Sequence, residues 1–243
     1  MLKILFSPSE GKKSGGDTVR KDLFGALQAR NDILQEYNEI VLSGDENLIT
    51  NLFGIKKIQD AKPYICNIFD TNYMMAIERY QGVAYDYLNY ESLANKAKQF
   101  IQDNTIIFSN LYGPILAKDT IANYKVKQGN NIGEIAPDKF YKERFSYQLD
   151  LYLSHYELLD LRAGYYDKFY KPSQPYTTLK FLKNGKSVSH WAKAYRGIVL
   201  REIAKHNITS LNEFQSLEIE NLQVKEIKII KNKTEIIYDI IEG

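Results

Sequence analysis

Cysteine is nearly absent from these 243 residues, since Cys66 stands alone. No disulfide can close within the chain, and the usage suits a reducing compartment. In YICNIF the thiol has apolar neighbours and no adjoining base, so core packing is expected of it rather than chemistry. Histidine is scarce too. His155, His190 and His206 are scattered, no H-x-x-E or E-x-x-H spacing falls on an expected helix, and neither a metal site nor a cofactor is expected. No apolar run approaches the ~20 residues a membrane span needs, and the chain meets its first strand-like run without a cationic leader, so the expected location is the cytoplasm. Net charge is only +2, too mild to mark a nucleic-acid binder by itself; a polyanion site has to come from uneven placement of charge. Internal repeats, low-complexity tracts and long Pro/Gly/Ser linkers are also missing, which predicts a single domain over residues 1–243.

The chain opens MLKILFSPSEGKKSGGDTV, a buried-strand pattern breaking at Ser7-Pro8 into a glycine-rich loop. A Walker A loop would need glycine where Phe6 stands and Ser or Thr where Lys13 stands, and G-x-G-x-x-G does not follow the strand, so neither a P-loop nor a dinucleotide fingerprint is present. Lys12 and Lys13 among glycines still suit an anion, because a loop free of bulky side chains lets backbone N–H groups approach phosphate. The alternative is a surface loop whose glycines only supply turns.

Asp17 to Leu42 places Leu23, Ala26, Leu27, Ile33, Leu34, Tyr37 and Val41 at spacings that suit one or two amphipathic helices. Helical stretches are also expected around Tyr73 to Tyr80, over Glu91 to Gln102 and over Asp138 to Ser154. TIIFS, from Thr105, reads as a buried strand, and HYELLDL as another. Asn184-Gly185 between two alternating runs is the composition of a type I′ hairpin. Trp191 to Lys205 has a helical apolar side, and VKEIKIIKNKTEIIYDI reads as two strands turning around Asn232-Lys233. Interleaved helices and strands with hairpins toward the end predict a mixed α/β fold, a mixed sheet surrounded by helices.

Basic residues are concentrated between Lys180 and Lys205, where Lys180, Lys183, Lys186, Lys193, Arg196, Arg201 and Lys205 face only Glu202. A solvated face and a polyanion site both fit such a run. NLYGPILAKDTIANYKVKQG follows TIIFS; Gly113 permits a tight turn and Pro114 suits the first position of a helix, whose exposed N-terminus would favour phosphate without reading bases.

Taken with ILFSPSEGK, AIERYQGVAYDYL, DLRAGYYDKFY and HWAKAYRGIVLREI, in that order, the chain resembles the YaaA family of peroxide-stress-resistance proteins. Tyr80, Gly82, Tyr85, Ser109, Leu111, Tyr112, Gly113, Asp119, Tyr124 and Lys125 fill the family pattern of an aromatic-x-Gly-x-x-Tyr segment, S-x-L-Y-G, an acidic residue before a short helix, and Tyr followed by a base. The resemblance implies a cytoplasmic protein that limits free intracellular iron during hydrogen peroxide stress and protects DNA and protein from oxidation. It also implies a compact α/β fold with a basic cleft and a helix-hairpin-helix element that binds DNA; the L-Y-G-P turn, Leu111 to Pro114, is the candidate for that hairpin.

On this reading the N-terminal loop, the L-Y-G turn and the start of the A-K-A-Y-R-G helix form three walls of one cleft. Ser7, Lys12, Lys13, Gly113, Lys125, Lys193 and Arg196 would meet phosphates there, Arg196 with a bidentate grip, while Tyr112 and Tyr124 stack on unpaired bases. The expected partner is DNA, double- or single-stranded and bound with little sequence preference, with room for a small phosphate ligand and no role for a membrane. The alternative is an enzyme acting on a nucleotide or damaged nucleic acid in the same cleft, with Glu10 or Asp119 as general base. Against it, Asp119 also suits a cap or pair within its own helix.

Overall fold

A computed structural model describes residues 1–19, 21–26 and 28–241. The expectation for Leu27 lies outside these residues. The chain builds β1 (Leu2–Phe6), β2 (Gly11–Lys12), α1 (Asn31–Leu42), α2 (Glu46–Phe53), β3 (Tyr73–Met75), α3 (Ala76–Arg79), β4 (Tyr80–Gln81), α4 (Val83–Leu88), α5 (Asn95–Asn104), β5 (Thr105–Ser109), β6 (Gly113–Leu116) and β7 (Thr120–Ala122). It continues through α6 (Pro137–Leu153), β8 (Glu157–Asp160), β9 (Tyr176–Lys183), β10 (Lys186–Ser187), α7 (Ser189–His206), α8 (Leu211–Gln215), β11 (Leu222–Ile230) and β12 (Lys233–Ile240).

The main sheet runs β11-β12-β9-β8-β1-β5-β6, with β10 folded back on β9. Its centre is parallel: β1 lies between β5 and β8, and β9 lies between β8 and β12. Its edges are antiparallel, β6 on β5 and β11 on β12. The expected mixed sheet flanked by helices is therefore present. Parallel strands covered on both faces read as continuous apolar runs, and all five residues of LKILF and of TIIFS are buried. The Asn184-Gly185 hairpin forms with φ of 52° and 73°, the left-handed pair a type I′ turn requires.

Several local expectations change. Tyr73 to Tyr80 is helical only over the four residues of α3, with strand on either side, and the first long helix begins at Asn31 rather than near Asp17. Gly113 and Pro114 open an edge strand, not a helix. Proline is tolerated there because an edge strand leaves one side of its backbone unpaired. Gly113 has φ +66°, and a Cβ on it would lie 2.2 Å from the Tyr141 ring, so the glycine serves the β5–β6 turn and close packing. The placement of a helix-hairpin-helix at Leu111 to Pro114 is corrected accordingly: the turn joins two strands. Cys66 is half-buried, not a core residue.

The order of the strands fixes where a ligand can sit. From β1 the chain goes to β5 on one side, whereas from β8 it goes to β9 on the other. The connections thus part above the C-terminal ends of β1 and β8, and this is where open α/β sheets leave a crevice.

Candidate functional site

A cleft of about 490 Å³ opens at that crevice. One wall is the stretch leaving β1, Ser7 to Glu10; a second is Leu161 and Ala163, leaving β8. Gly82 to Tyr85 at the start of α4, Lys193 and Arg196 on α7, Gln128 and Tyr166 complete it. The floor is stitched across the two strand ends, because the Ala163 N–H donates to Ser7 Oγ (2.8 Å) and the Tyr85 hydroxyl donates to the Ser7 carbonyl (2.9 Å). Ser7, predicted as a phosphate ligand, thus ties the cleft together. Tyr166 adds a buried wall, its hydroxyl bonded to Asn110 Oδ1 at 3.2 Å.

The cations reach the cleft from α7, which crosses α4 at a close backbone approach. Gly197 makes this possible: a Cβ there would stand 2.0 Å from the Ala84 carbonyl oxygen. Arg196, one residue earlier, is half-buried, and desolvation draws its pKa below the ordinary value. Among the described residues its guanidinium has no hydrogen-bond or ion-pair partner. The nearest influential carboxylate, Asp160, is already engaged: Arg162 grips it through Nε (2.9 Å) and Nη2 (2.7 Å) in a buried pair at the end of β8. Five fixed N–H donors with no carboxylate bound to them, facing a cleft whose lining holds Glu10 as its carboxylate, suit an oxyanion. Lys193, one helical turn earlier on the same side, supplies a mobile point charge.

Glu10 is the acidic member of the lining. Its Oε1 accepts the Gln128 N–H at 3.1 Å, which fixes the 127–130 loop over the rim. Asp119 is not part of the cleft lining. It is half-buried and accepts the Phe24 and Leu116 N–H groups at 3.0 and 2.9 Å; desolvation raises its pKa. Arg30 lies close enough to oppose that rise, and it is itself spent on the carbonyls of Tyr112, Ala26, Phe24 and Pro114. Asp119 closes the turn between β6 and β7, a structural task that removes it from the general-base candidates.

Six other sequence candidates are also absent from the cleft lining. Tyr112 and Tyr124 are 1 % exposed, so they cannot stack on bases. Tyr124 bonds to Tyr80 Oη (2.8 Å) and Ser109 Oγ (2.7 Å), and desolvation holds its phenol well above the ordinary range. Gly113 is packed on Tyr141. Lys13 pairs with Glu91. The glycine loop is held from within. The Lys13 N–H is spent on the Arg79 carbonyl (2.8 Å), and the buried Arg79 guanidinium takes the carbonyls of Lys13 and Gly15, so the loop clasps a cation of its own chain. Lys125 sits beside the Tyr64 ring, its ammonium 5.6 Å from the centroid. Lys12 lies behind the Ser9-Glu10 wall, where its ammonium donates to the carbonyls of both residues at 3.2 and 3.3 Å.

Of the basic run from Lys180, Lys193 and Arg196 alone line the cleft. Arg201 instead donates to the Leu88 and Asn89 carbonyls and the Ser92 hydroxyl, closing the C-terminus of α4, and Lys205 pairs with Glu202. Gln128 and Tyr166 were missed by reasoning from residue types; only the glycines around Gln128 and the aromatic run around Tyr166 hinted at them. Among the described residues no group of three or more His, Cys, Asp or Glu is placed to hold a metal ion, and no helix is long and apolar enough to cross a membrane.

The segments that wall the cleft are also those that carry the family likeness. An uncharacterized protein of Campylobacter jejuni is 43% identical over 249 residues, spanning 99% of this chain and all of the relative. A UPF0246 protein of Fusobacterium nucleatum is 25% identical and covers 95% of this chain and 97% of its own length; one from Streptomyces coelicolor is 28% identical over 83% and 82%. The model of the family described as peroxide stress protein YaaA matches residues 2–228, which takes in every wall of the cleft. The chain belongs to the YaaA peroxide stress protein family.

Proposed function

We propose that this peroxide stress protein acts by binding nucleic acid, and that the switch-point cleft takes one unpaired or terminal nucleotide of it, with phosphate on Arg196 and Lys193. The Arg196 guanidinium in the cleft at the strand ends, unpartnered among the described residues, is the observation that carries this reading. The volume of about 490 Å³ is that of a small-ligand pocket, not of a groove that holds a duplex. Phe6, Pro8, Val83 and Leu161 give the cleft apolar walls for a base, and Ser9 and Gln128 give it polar atoms at the rim. Binding of this kind reads phosphate and stacking surface rather than sequence. In the cell we place it in the cytoplasm, within the response that limits free iron and shields DNA and protein from oxidation.

A count of charges makes the proposal testable. A five-cation cleft would give log affinity a slope near −3.5 against log salt for single strands, whereas two cations give about −1.4. Anisotropy of a labelled single-stranded oligonucleotide between low and moderate salt is expected to give the shallower slope, and a flat line rejects phosphate binding. A second reading, an enzyme acting on the bound nucleotide, has one observation in its favour: the Glu10 carboxylate stands at the rim with one oxygen held by the Gln128 N–H. Glu10→Gln separates the two, since a binding protein keeps or gains affinity when it loses a negative charge, while an enzyme using this base loses turnover and keeps binding.

A further inference from the structure

We infer that Lys12 is a third cation of the cleft, charged on demand, and that it selects ligands ending in a doubly charged phosphate monoester over singly charged phosphodiesters. The inference rests on the cleft being a phosphate site, as proposed above.

Lys12 is 7 % exposed, and its main chain is fixed by pairing with Tyr80 in the β2–β4 ladder. The side chain folds back so that its ammonium donates to the carbonyls of Ser9 and Glu10, the two residues that form the cleft wall from behind. On its other side lie two rings, Tyr124 at 3.9 Å and Tyr80 at 5.3 Å from their centroids. Both phenols are held above their ordinary range by burial, so neither offers a counter-anion. Lys125 and Arg79 add positive potential, and Glu10 is the one carboxylate that works in favour of the charge. Among the described residues Lys12 forms no salt bridge.

An ammonium so placed is short of negative charge. Carbonyls and ring faces orient it, but desolvation and Lys125 bring its pKa down to about 7. An anion arriving at Arg196 and Lys193, on the other side of the Ser9-Glu10 wall, supplies the missing charge, and the site then takes up a proton. The gain grows with the charge of the ligand. A monoester carries nearly two charges at neutral pH, an internal diester one. Lys12 therefore turns a general phosphate cleft into one that prefers a free nucleotide or a strand end.

The test is isothermal titration of the full chain at pH 7.5 with thymidine 5′-monophosphate and with its methyl ester, each in two buffers of different ionisation enthalpy. A group of pKa about 7 is about three-quarters neutral at that pH. The expected result is uptake of more than about half a proton per bound monoester and at least about fivefold tighter binding than the diester, with Lys12→Met losing both the uptake and the preference. Lys12→Arg, permanently charged, is expected to keep the preference and lose the uptake, and it serves should the methionine variant fail to fold. Monoester binding without buffer-dependent heat, or a methionine variant that retains both properties, overturns the assignment to Lys12 and leaves the cleft reading standing. Failure of the wild-type protein to bind either ligand overturns the cleft reading, and this inference with it.

Discussion

Replacing Gly197 by alanine tests the geometry on which the cleft depends. The added Cβ would lie 2.0 Å from the Ala84 carbonyl oxygen, 2.9 Å from its carbon and 3.0 Å from the Leu88 nitrogen, against ordinary contact at 3.4 Å or more. All three neighbours are backbone, so no side chain can swing aside. α7 must move from α4 by an amount on the order of 1 Å. Overpacking of this kind costs about 1–3 kcal/mol, while alanine gains about 1 kcal/mol over glycine in a helix interior. The net expectation is a loss of up to about 2 kcal/mol, read as a fall in melting temperature of roughly 4–8 °C for a chain of this size. Because Arg196 and Lys193 ride on α7 while Val83 to Tyr85 belong to α4, the same shift widens the cleft, and nucleotide affinity is expected to fall more than the loss of stability explains. Thermal unfolding by circular dichroism and anisotropy on the folded variant measure the two effects. A variant as stable as wild type or more so, with unchanged affinity, would show that α7 and α4 are not in backbone contact and refute the reasoning.

Other outcomes follow from the same structure. Lys12 makes stability depend on pH with a definite sign: its pKa falls from 10.5 when unfolded to about 7 when folded, so the unfolded chain holds more protons between those values. Stability therefore rises with pH across that window, by at most about 1.4 kcal/mol per unit, while the full penalty applies below pH 7; Lys12→Met should flatten the curve in urea unfolding between pH 7 and 9, and parallel curves would contradict this. Arg162→Met leaves Asp160 buried and unpaired at 4 % exposure, and a loss of about 3–5 kcal/mol is expected in denaturant unfolding. Tyr112→Ala should destabilise by about 3–5 kcal/mol as a core truncation, whereas Tyr112→Phe should leave oligonucleotide affinity unchanged, since the ring lies inside the protein. Lys13→Met should likewise leave affinity unchanged at moderate salt, unlike Lys193→Met.

The fold was legible where local pattern and tertiary need agree. TIIFS and LKILF read as buried strands because central parallel strands bury both faces, and Asn184-Gly185 read as a hairpin because only such residues accept two left-handed positions in succession. It failed where one residue suits two tasks. Pro114 fits a helix start and an edge strand equally well, and the choice was made by β5 waiting beside it. Tyr112 and Tyr124 looked like stacking surfaces, yet a tyrosine whose hydroxyl finds an internal partner is a core residue, and those partners are remote or not evident in sequence. Ser7, Glu10, Lys193 and Arg196 do converge, as cations and polar groups from both ends of the chain. Their meeting point depends on strand order, which no local pattern encodes. Nor does sequence distinguish Lys12 from Lys13: β2 ends at Lys12 with its side chain buried, and Lys13, just beyond the strand, pairs with Glu91.

The most direct measurement is a crystal structure of the protein soaked with a nucleoside 5′-monophosphate. The account predicts phosphate density within hydrogen-bond distance of the Arg196 guanidinium, the base lying against Phe6, Pro8 and Val83. Density for the nucleotide elsewhere on the surface, with the crevice between the ends of β1 and β8 unchanged, would contradict it.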